Sequence, residues 1–235
     1  KAPSDGMCGK TDEDNLGFTY AEVEKVARGF FDDVNPETAQ KIQKKINGMS
    51  WKCKLLNLPC FVPDQKVLAI VDAQKDFIDG SMGVGMEKWK RAKAAIIDLM
   101  KKEKYDSIVY TKDWHPTNHC SFKPQGGPWP NHCVAGEKGA EIDAELLAVN
   151  IPSVTLNKGC DPNVEEYGID VLPNVDNVKE LHLVGLCFDY CVQSCAKETA
   201  KTHPNTKIVV KKAGTVAIDE NAKIDWEGLN VKVEL

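Results

Sequence analysis

From residue 66 onward the apolar positions of this chain switch repeatedly between two rhythms. KVLAIVDA (66–73) is a nearly unbroken apolar run, the pattern of a strand buried on both faces. At about 86–103 the period becomes helical, with Trp89, Ala92, Ile96 and Met100 on one face. A strand SIVYTKDW (107–114), a long loop, a short helix near 141–149 and a strand SVTLNK (153–158) follow. Leu181, Leu183, Val184 and Leu186 then form another buried strand, in which Gly185 marks a close backbone approach. The chain turns at 187–189 into a helix that carries Val192, Cys195, Ala196 and Thr199 on one face. KIVVKKA (207–213) and a last short strand at 229–234 complete the series. Such alternation predicts an α/β fold: a three-layer, doubly wound, mostly parallel sheet with helices on both faces.

Residues 1–64 follow a different pattern, and the predicted domains are a small helical N-terminal extension (1–64) and the α/β domain (65–235). One helix is expected from about 20 to 31. A second has Asn35 as cap, Pro36 at its first position and Gly48 as its stop. LPCFVPDQ (58–65) reads as the linker. In TDEDNLGFTYAE, Thr11, Glu13, Asn15 and Glu22 take positions one, three, five and twelve of a calcium loop with Phe18 at eight. The stretch resembles a degenerate EF-hand: position one is Thr, and Leu16 sits where the sharp-turn Gly belongs. Acidic residues ahead of a helix also serve simply to complement its dipole.

At 235 residues the chain suits one sizeable domain with a small appendage. A net charge of −5 argues against nucleic acid as the main partner. The longest purely apolar run, VLAIV (67–71), is too short to span a membrane, so no membrane partner is expected. Nine cysteines, an odd number with no compact framework, suit free thiols in a reducing compartment. The expected location is the cytoplasm, with the nucleus as a second compartment. A homo-oligomer is compatible with the sequence but not specified by it.

Five chemically capable groups fall at the carboxyl ends of the predicted strands, where α/β sheets carry their sites. Asp72 ends the first, Asp113 and His115 the second, Lys158 the third, and Cys191 follows the fourth. Singly, a strand-end Asp is a turn residue and a strand-end Lys a solvated charge; together at one edge they point to a site. Cys191 falls in a first helical turn, where unpaired N–H groups and the positive dipole end favour a thiolate. The loop after the second strand adds His119, Cys120, His132 and Cys133 to Asp113 and His115 within 21 residues. Asp113 and His115 project from the same side of an extended segment, and a third donor would close a metal site. His132 and His119 are rivals for that place, and Cys120 with Cys133 offer a thiolate-rich structural alternative. One carboxylate and two imidazoles with open positions suit a catalytic Zn²⁺ or Fe²⁺.

VDAQKDF (71–77), TKDWHP (111–116), GPWPNHCV (127–134), Lys158 followed by Gly159, and VGLCFDYCV (184–192) give these residues a family context. In order and spacing they resemble the isochorismatase-like cysteine hydrolases over about residues 66–214, and among these the nicotinamidases. The resemblance implies a six-stranded α/β fold and hydrolysis of nicotinamide to nicotinate and ammonia in NAD salvage, with pyrazinamide also accepted. It implies a catalytic triad of Asp72, Lys158 and Cys191, and metal ligands Asp113, His115 and His132, leaving His119 and the neighbouring thiols as bystanders. The cofactor is one divalent metal ion, zinc first, with iron or manganese as alternatives. The backbone N–H groups of Cys187 and Cys191 would form the oxyanion hole, with a cis peptide between Leu186 and Cys187. Phe77, Trp129 and Tyr167 would wall the ring pocket.

That family uses a thioester route: the thiol attacks the carboxamide, Asp72 takes its proton and passes it to the departing ammonia, and Lys158 holds positive charge beside both. Many relatives carry a small residue such as Ala where this chain has Cys187, a second thiol four residues from the nucleophile. The alternatives are another amidase or isochorismatase-like hydrolase, and, from a different class, an inactive calcium-responsive binding module. Cys191 with His132 argues against the first, and the intact triad with the damaged calcium loop against the second.

Overall fold

The strands that the apolar runs predict all form, and they form one sheet. In this computed structural model residues 65–173 and 178–235 are described, together with Asn35 and Thr38. The strands are β1 (Lys66–Val71), β2 (Ser107–Asp113), β3 (Ser153–Lys158), β4 (Glu180–Leu186), β5 (Lys207–Val216) and β6 (Val231–Glu234). They lie in the order β3-β2-β1-β4-β5-β6 with every pairing parallel. The sheet is therefore wholly rather than mostly parallel.

Side-chain alternation along β1 explains the layers. Val67, Ala69 and Val71 point to one face, where they pack with Val192, Cys195 and Ala196. Leu68 and Ile70 point to the other, against Trp89, Ala92 and Ile96. The helices are α1 (Lys75–Ile78), α2 (Met86–Lys102), α3 (Ala144–Leu147) and α4 (Gln193–Thr202), of which α2 and α4 cover opposite faces. All six β1 residues except Lys66 are fully buried, which is why no polar alternation appears in that run. Each such aliphatic side chain contributes about 1.5–3 kcal/mol by leaving water.

Three expectations shift in detail. The helix near 141–149 contracts to α3, because the Asp143 side chain accepts from Glu145 N–H and starts it late. β5 runs on to Val216, past a register shift against β4 between Leu183 and Gly185. The turn after β4 is not a simple helix start. Cys187 O accepts from both Tyr190 N–H and Val192 N–H at 3.1 Å, so Phe188–Val192 winds as a π-helical turn before α4 begins. Cys191 lies inside that turn.

Strand order also locates the site. From β1 the chain adds β2 and β3 on one side, then crosses to add β4, β5 and β6 on the other. The switch point is between β1 and β4, and the crevice beyond their carboxyl ends is where such sheets bind ligands. Gly185 permits this closeness: it has φ +114°, and a Cβ there would lie 2.0 Å from Val71 O.

The chain divides into two units, Lys1–Cys60 and Phe61–Leu235. The candidate calcium loop (Thr11, Glu13, Asn15, Glu22), the helix at 20–31 and the stop at Gly48 lie outside the described residues. Within the first unit, Thr38 N–H donates to Asn35 Oδ1 at 3.2 Å, the bond an N-cap makes. Among the described residues no helix is long and apolar enough to cross a membrane.

Candidate active site

Lys158 is the hub. It ends β3 with its ammonium wholly buried, a placement that demands partners. Its Nζ pairs with Asp113 Oδ1, lies 2.8 Å from Asp72 Oδ2, and sits 3.5 Å from Cys191 Sγ. Burial alone would discharge the amine, but the Asp113 and Asp72 carboxylates hold its pKa above the usual lysine value.

Asp72 follows β1 in a left-handed conformation, φ +45°. Its N–H donates to Thr111 O at 3.1 Å, and Thr111 Oγ1 donates to its Oδ1 at 2.7 Å. Oδ2 is paired with the Lys158 ammonium at 2.8 Å, with both groups wholly buried. Burial pushes this carboxyl up, and Lys158 pulls it back without cancelling the rise. Asp113 differs: Lys158 and His115 together overcome burial and hold its carboxyl well below the ordinary range. Burial and charge thus move the two carboxyls apart, Asp72 up and Asp113 down.

Cys191 corrects a sequence expectation. Its turn and Lys158 do favour the thiolate, but burial outweighs them and pushes the thiol well up. Cys191 therefore rests as a thiol, and its deprotonation needs a base. Ligand atoms of Asp72, Asp113 and Cys191 all lie within 4.8 Å of one another, so Asp72 stands within reach.

Asp113, His115 and His132 form a second convergent set, also within 4.8 Å. Asp113 Oδ2 is 3.4 Å from His115 Nε2 and 4.0 Å from His132 Nε2. His115 Nδ1 lies 2.9 Å from Gly159 O, and His132 Nδ1 2.8 Å from Pro130 O. A carbonyl only accepts, so both Nδ1 atoms carry a proton, and each Nε2, turned toward the carboxylate, becomes a ligand when its ring is neutral. That is the outer support a metal-binding imidazole requires, and the O, N, N donor set fits a divalent ion. Gln74 fixes the strand end with both polar atoms of its side-chain amide: Asp113 N–H donates to Oε1 and Nε2 donates to Asp113 O, both at 2.8 Å. The Asp113 interaction raises His115 against the pull of burial, whereas burial lowers His132.

The rival donors are accounted for. His119 accepts from Ser121 N–H at Nδ1 (3.2 Å) and donates from Nε2 to Val164 O (3.1 Å), so neither nitrogen is open. It packs against His115 with ring centroids 4.1 Å apart and the planes tilted by 37°. Cys120 and Cys133 are free thiols outside both clusters.

The crevice above these groups holds about 380 Å³, counting its open mouth, and is lined by Phe77, Trp129 and Tyr167 as well as Asp113, His115, His132 and Cys191. Trp129 Nε1 donates to the Tyr167 hydroxyl at 2.9 Å, which braces that wall. The Leu186–Cys187 peptide is cis, and Cys187 lines the pocket with Cys191. Sequence reasoning missed Met82, Glu165, Glu166, Tyr190 and Ile218, which also line it. Tyr190 precedes the nucleophile and packs edge-on against Trp129 at 5.4 Å. Ile218 follows the true end of β5, so the strand-end rule would have found it had that strand been drawn to Val216.

Comparison with known proteins agrees with this architecture. Residues 66–222 match the Isochorismatase domain model. The nicotinamidase/pyrazinamidase of Mycobacterium tuberculosis (strain ATCC 25618 / H37Rv) is 30% identical over 182 residues, covering 72% of this chain and 97% of that protein. Among solved structures, PnC1 from L. infantum in complex with nicotinate superposes with a TM-score of 0.60 at 29% identity, covering 68% of this chain and 86% of that one. Pyrazinamidase of Pyrococcus horikoshii in complex with zinc gives 0.53 at 29% identity, covering 66% and 88%. With a family match over residues 66–222, most of the chain, and a relative 30% identical along nearly its whole length, this protein belongs to the isochorismatase family.

Proposed function

We propose that this chain hydrolyses the carboxamide of nicotinamide, giving nicotinate and ammonia, and accepts pyrazinamide. The observation that carries the reading is a pocket lined by a thiol, a carboxylate and two imidazoles whose Nδ1 atoms are held by backbone carbonyls, with the wholly buried Lys158 ammonium in contact with the thiol and paired with Asp72. The names of the similar proteins support the same substrate class.

Cys191 Sγ attacks the carboxamide carbon while Asp72 Oδ2 takes the thiol proton. The raised Asp72 pKa suits that exchange in both directions. Collapse of the tetrahedral adduct breaks the C–N bond, and Asp72 returns the proton to the departing nitrogen, which leaves as ammonia. Water then attacks the Cys191 thioester, Asp72 accepts a proton from it, and nicotinate departs as the thiol re-forms. Lys158 keeps a fixed positive charge beside sulfur and carboxylate throughout. The N–H groups of Cys187 and Cys191 are the proposed donors to the oxyanion, and losing one such donor costs about 10²-fold or more. Asp113, His115 and His132 would hold a divalent ion, zinc in our reading, that supplies a Lewis-acid point for the ring nitrogen. Phe77, Trp129 and Tyr167 would clamp the flat ring between them.

A carboxamide panel tests this reading by product chromatography. Nicotinamide and pyrazinamide should be turned over, and benzamide, which lacks the ring nitrogen, should be much poorer. Equal turnover of benzamide would remove the metal from substrate positioning, and no turnover of any of the three would remove the function.

A further inference from the structure

The Asp76 carboxylate touches neither the pocket chemistry nor any proposed metal ligand side chain, yet the surrounding chain is shaped around it. Its Oδ2 accepts from Cys133 N–H at 2.7 Å. A Cβ on Gly139 would meet Asp76 Oδ2 at 2.0 Å, Cγ at 2.3 Å and Oδ1 at 2.5 Å, and a Cβ on Gly80 would meet Oδ1 at 2.4 Å. Two glycines thus leave room for one carboxylate.

What that carboxylate holds is the joint of the metal-binding loop. Cys133 is a non-glycine residue at φ +46°, a conformation an L side chain rarely adopts without outside support. It directly follows His132. Its carbonyl accepts His115 N–H at 3.1 Å, and Ala135 N–H donates back to His115 O at 2.8 Å. One backbone unit therefore sets the direction of His132 and pairs with the segment that carries His115.

From this we infer that Asp76 is a positioning residue for the Asp113, His115 and His132 site: by fixing Cys133 it holds the two imidazoles in the register that lets their Nε2 atoms converge. The inference rests on the reading that these three residues bind a divalent ion. Partners one step removed from a metal typically govern affinity by about 10- to 100-fold, and Asp76 should act at that scale.

The test is zinc affinity, measured on the full chain by competition with a chromophoric chelator, with the ligand-field spectrum of the Co²⁺-loaded protein as a second readout. Asp76→Asn should weaken zinc by about 10- to 100-fold and change the Co²⁺ spectrum. Gly139→Ala should do the same without altering Asp76, because the three atoms nearest the added methyl all belong to the Asp76 side chain. The double variant should be little weaker than either single one. If Asp76→Asn fails to fold, Gly139→Ala decides alone. Ile96→Val, which thins the core under α2, is the control: it should lower stability and leave zinc affinity unchanged. Wild-type affinity and spectrum in the folded Asp76→Asn or Gly139→Ala protein would overturn the inference and leave the metal site standing. Absence of zinc binding by the wild type would overturn the metal site itself.

Discussion

Both ends of this parallel sheet gather histidine, carboxylate and lysine around a buried imidazole, and only one of them is a candidate site. At the amino end, where β1, β4 and β5 begin, His182 accepts from the Tyr105 hydroxyl at Nδ1 (2.7 Å) and donates to Glu180 at Nε2 (2.8 Å). Lys207 lies 3.0 Å from Glu180, and Lys66 pairs with Glu103. Every ring nitrogen there is used by the protein. At the carboxyl end His115 and His132 spend Nδ1 on backbone carbonyls and turn Nε2 toward Asp113, and the Cys191 thiol rests protonated beside the Asp72–Lys158 pair. The difference teaches that buried polarity does not mark function. Valences left open on a concave surface do. His119 makes the same point at closer range, since it packs against a proposed ligand with both nitrogens satisfied.

Substitutions at the two ends should separate accordingly. In the proposed mechanism Asp72 takes the thiol proton, so Asp72→Asn should reduce amide hydrolysis by about 10²- to 10⁴-fold with little change in KM. Steady-state kinetics check this; a kcat within a few-fold of wild type would assign the proton to another group. His132→Ala should weaken zinc by more than about 100-fold, whereas His119→Asn should change it by less than about 3-fold. Isothermal titration distinguishes them, and equal losses would return His119 to the ligand set.

The smallest effect on activity belongs to the amino end. Burial opposes the charge of Glu180, but His182 and Lys207 pull its carboxyl down to about 2, from an ordinary 4.5. A depressed folded-state value means the contribution to stability is complete above about pH 4.5 and is lost as pH falls toward 2. Burial also lowers His182, which adds loss in the same direction below its ordinary 6.5. Glu180→Gln should leave turnover unchanged and flatten the acid side of the stability profile measured by urea unfolding. An unchanged slope would show that the pair contributes nothing measurable.

The sheet was legible because burial on both faces writes itself as continuous apolar runs, and the ends of those runs placed Asp72, Asp113, Lys158 and Cys191 at one edge. Spacing could not choose between His119 and His132. That choice depends on which backbone carbonyls and N–H groups the loop folds against, Val164 and Ser121 in one case and Pro130 in the other. Nor could it give the resting state of Cys191: its turn favours the thiolate, and only the depth of burial reverses the balance. Tyr190 and Ile218 reach the pocket through a π-helical turn and a strand extended past a register shift, irregularities with no periodic signal. The role inferred for Asp76 is visible only once Cys133, the nearby Gly80 and the distant Gly139 are seen around it.

The most direct measurement is ammonia release from nicotinamide by the purified chain, beside Cys191→Ala and a sample stripped of metal by a chelator. Release by the wild type, reduced by about 10⁴-fold or more in Cys191→Ala and restored to the stripped sample by added zinc, is the predicted result. Release that persists in Cys191→Ala would contradict the thioester route and make a water molecule the nucleophile.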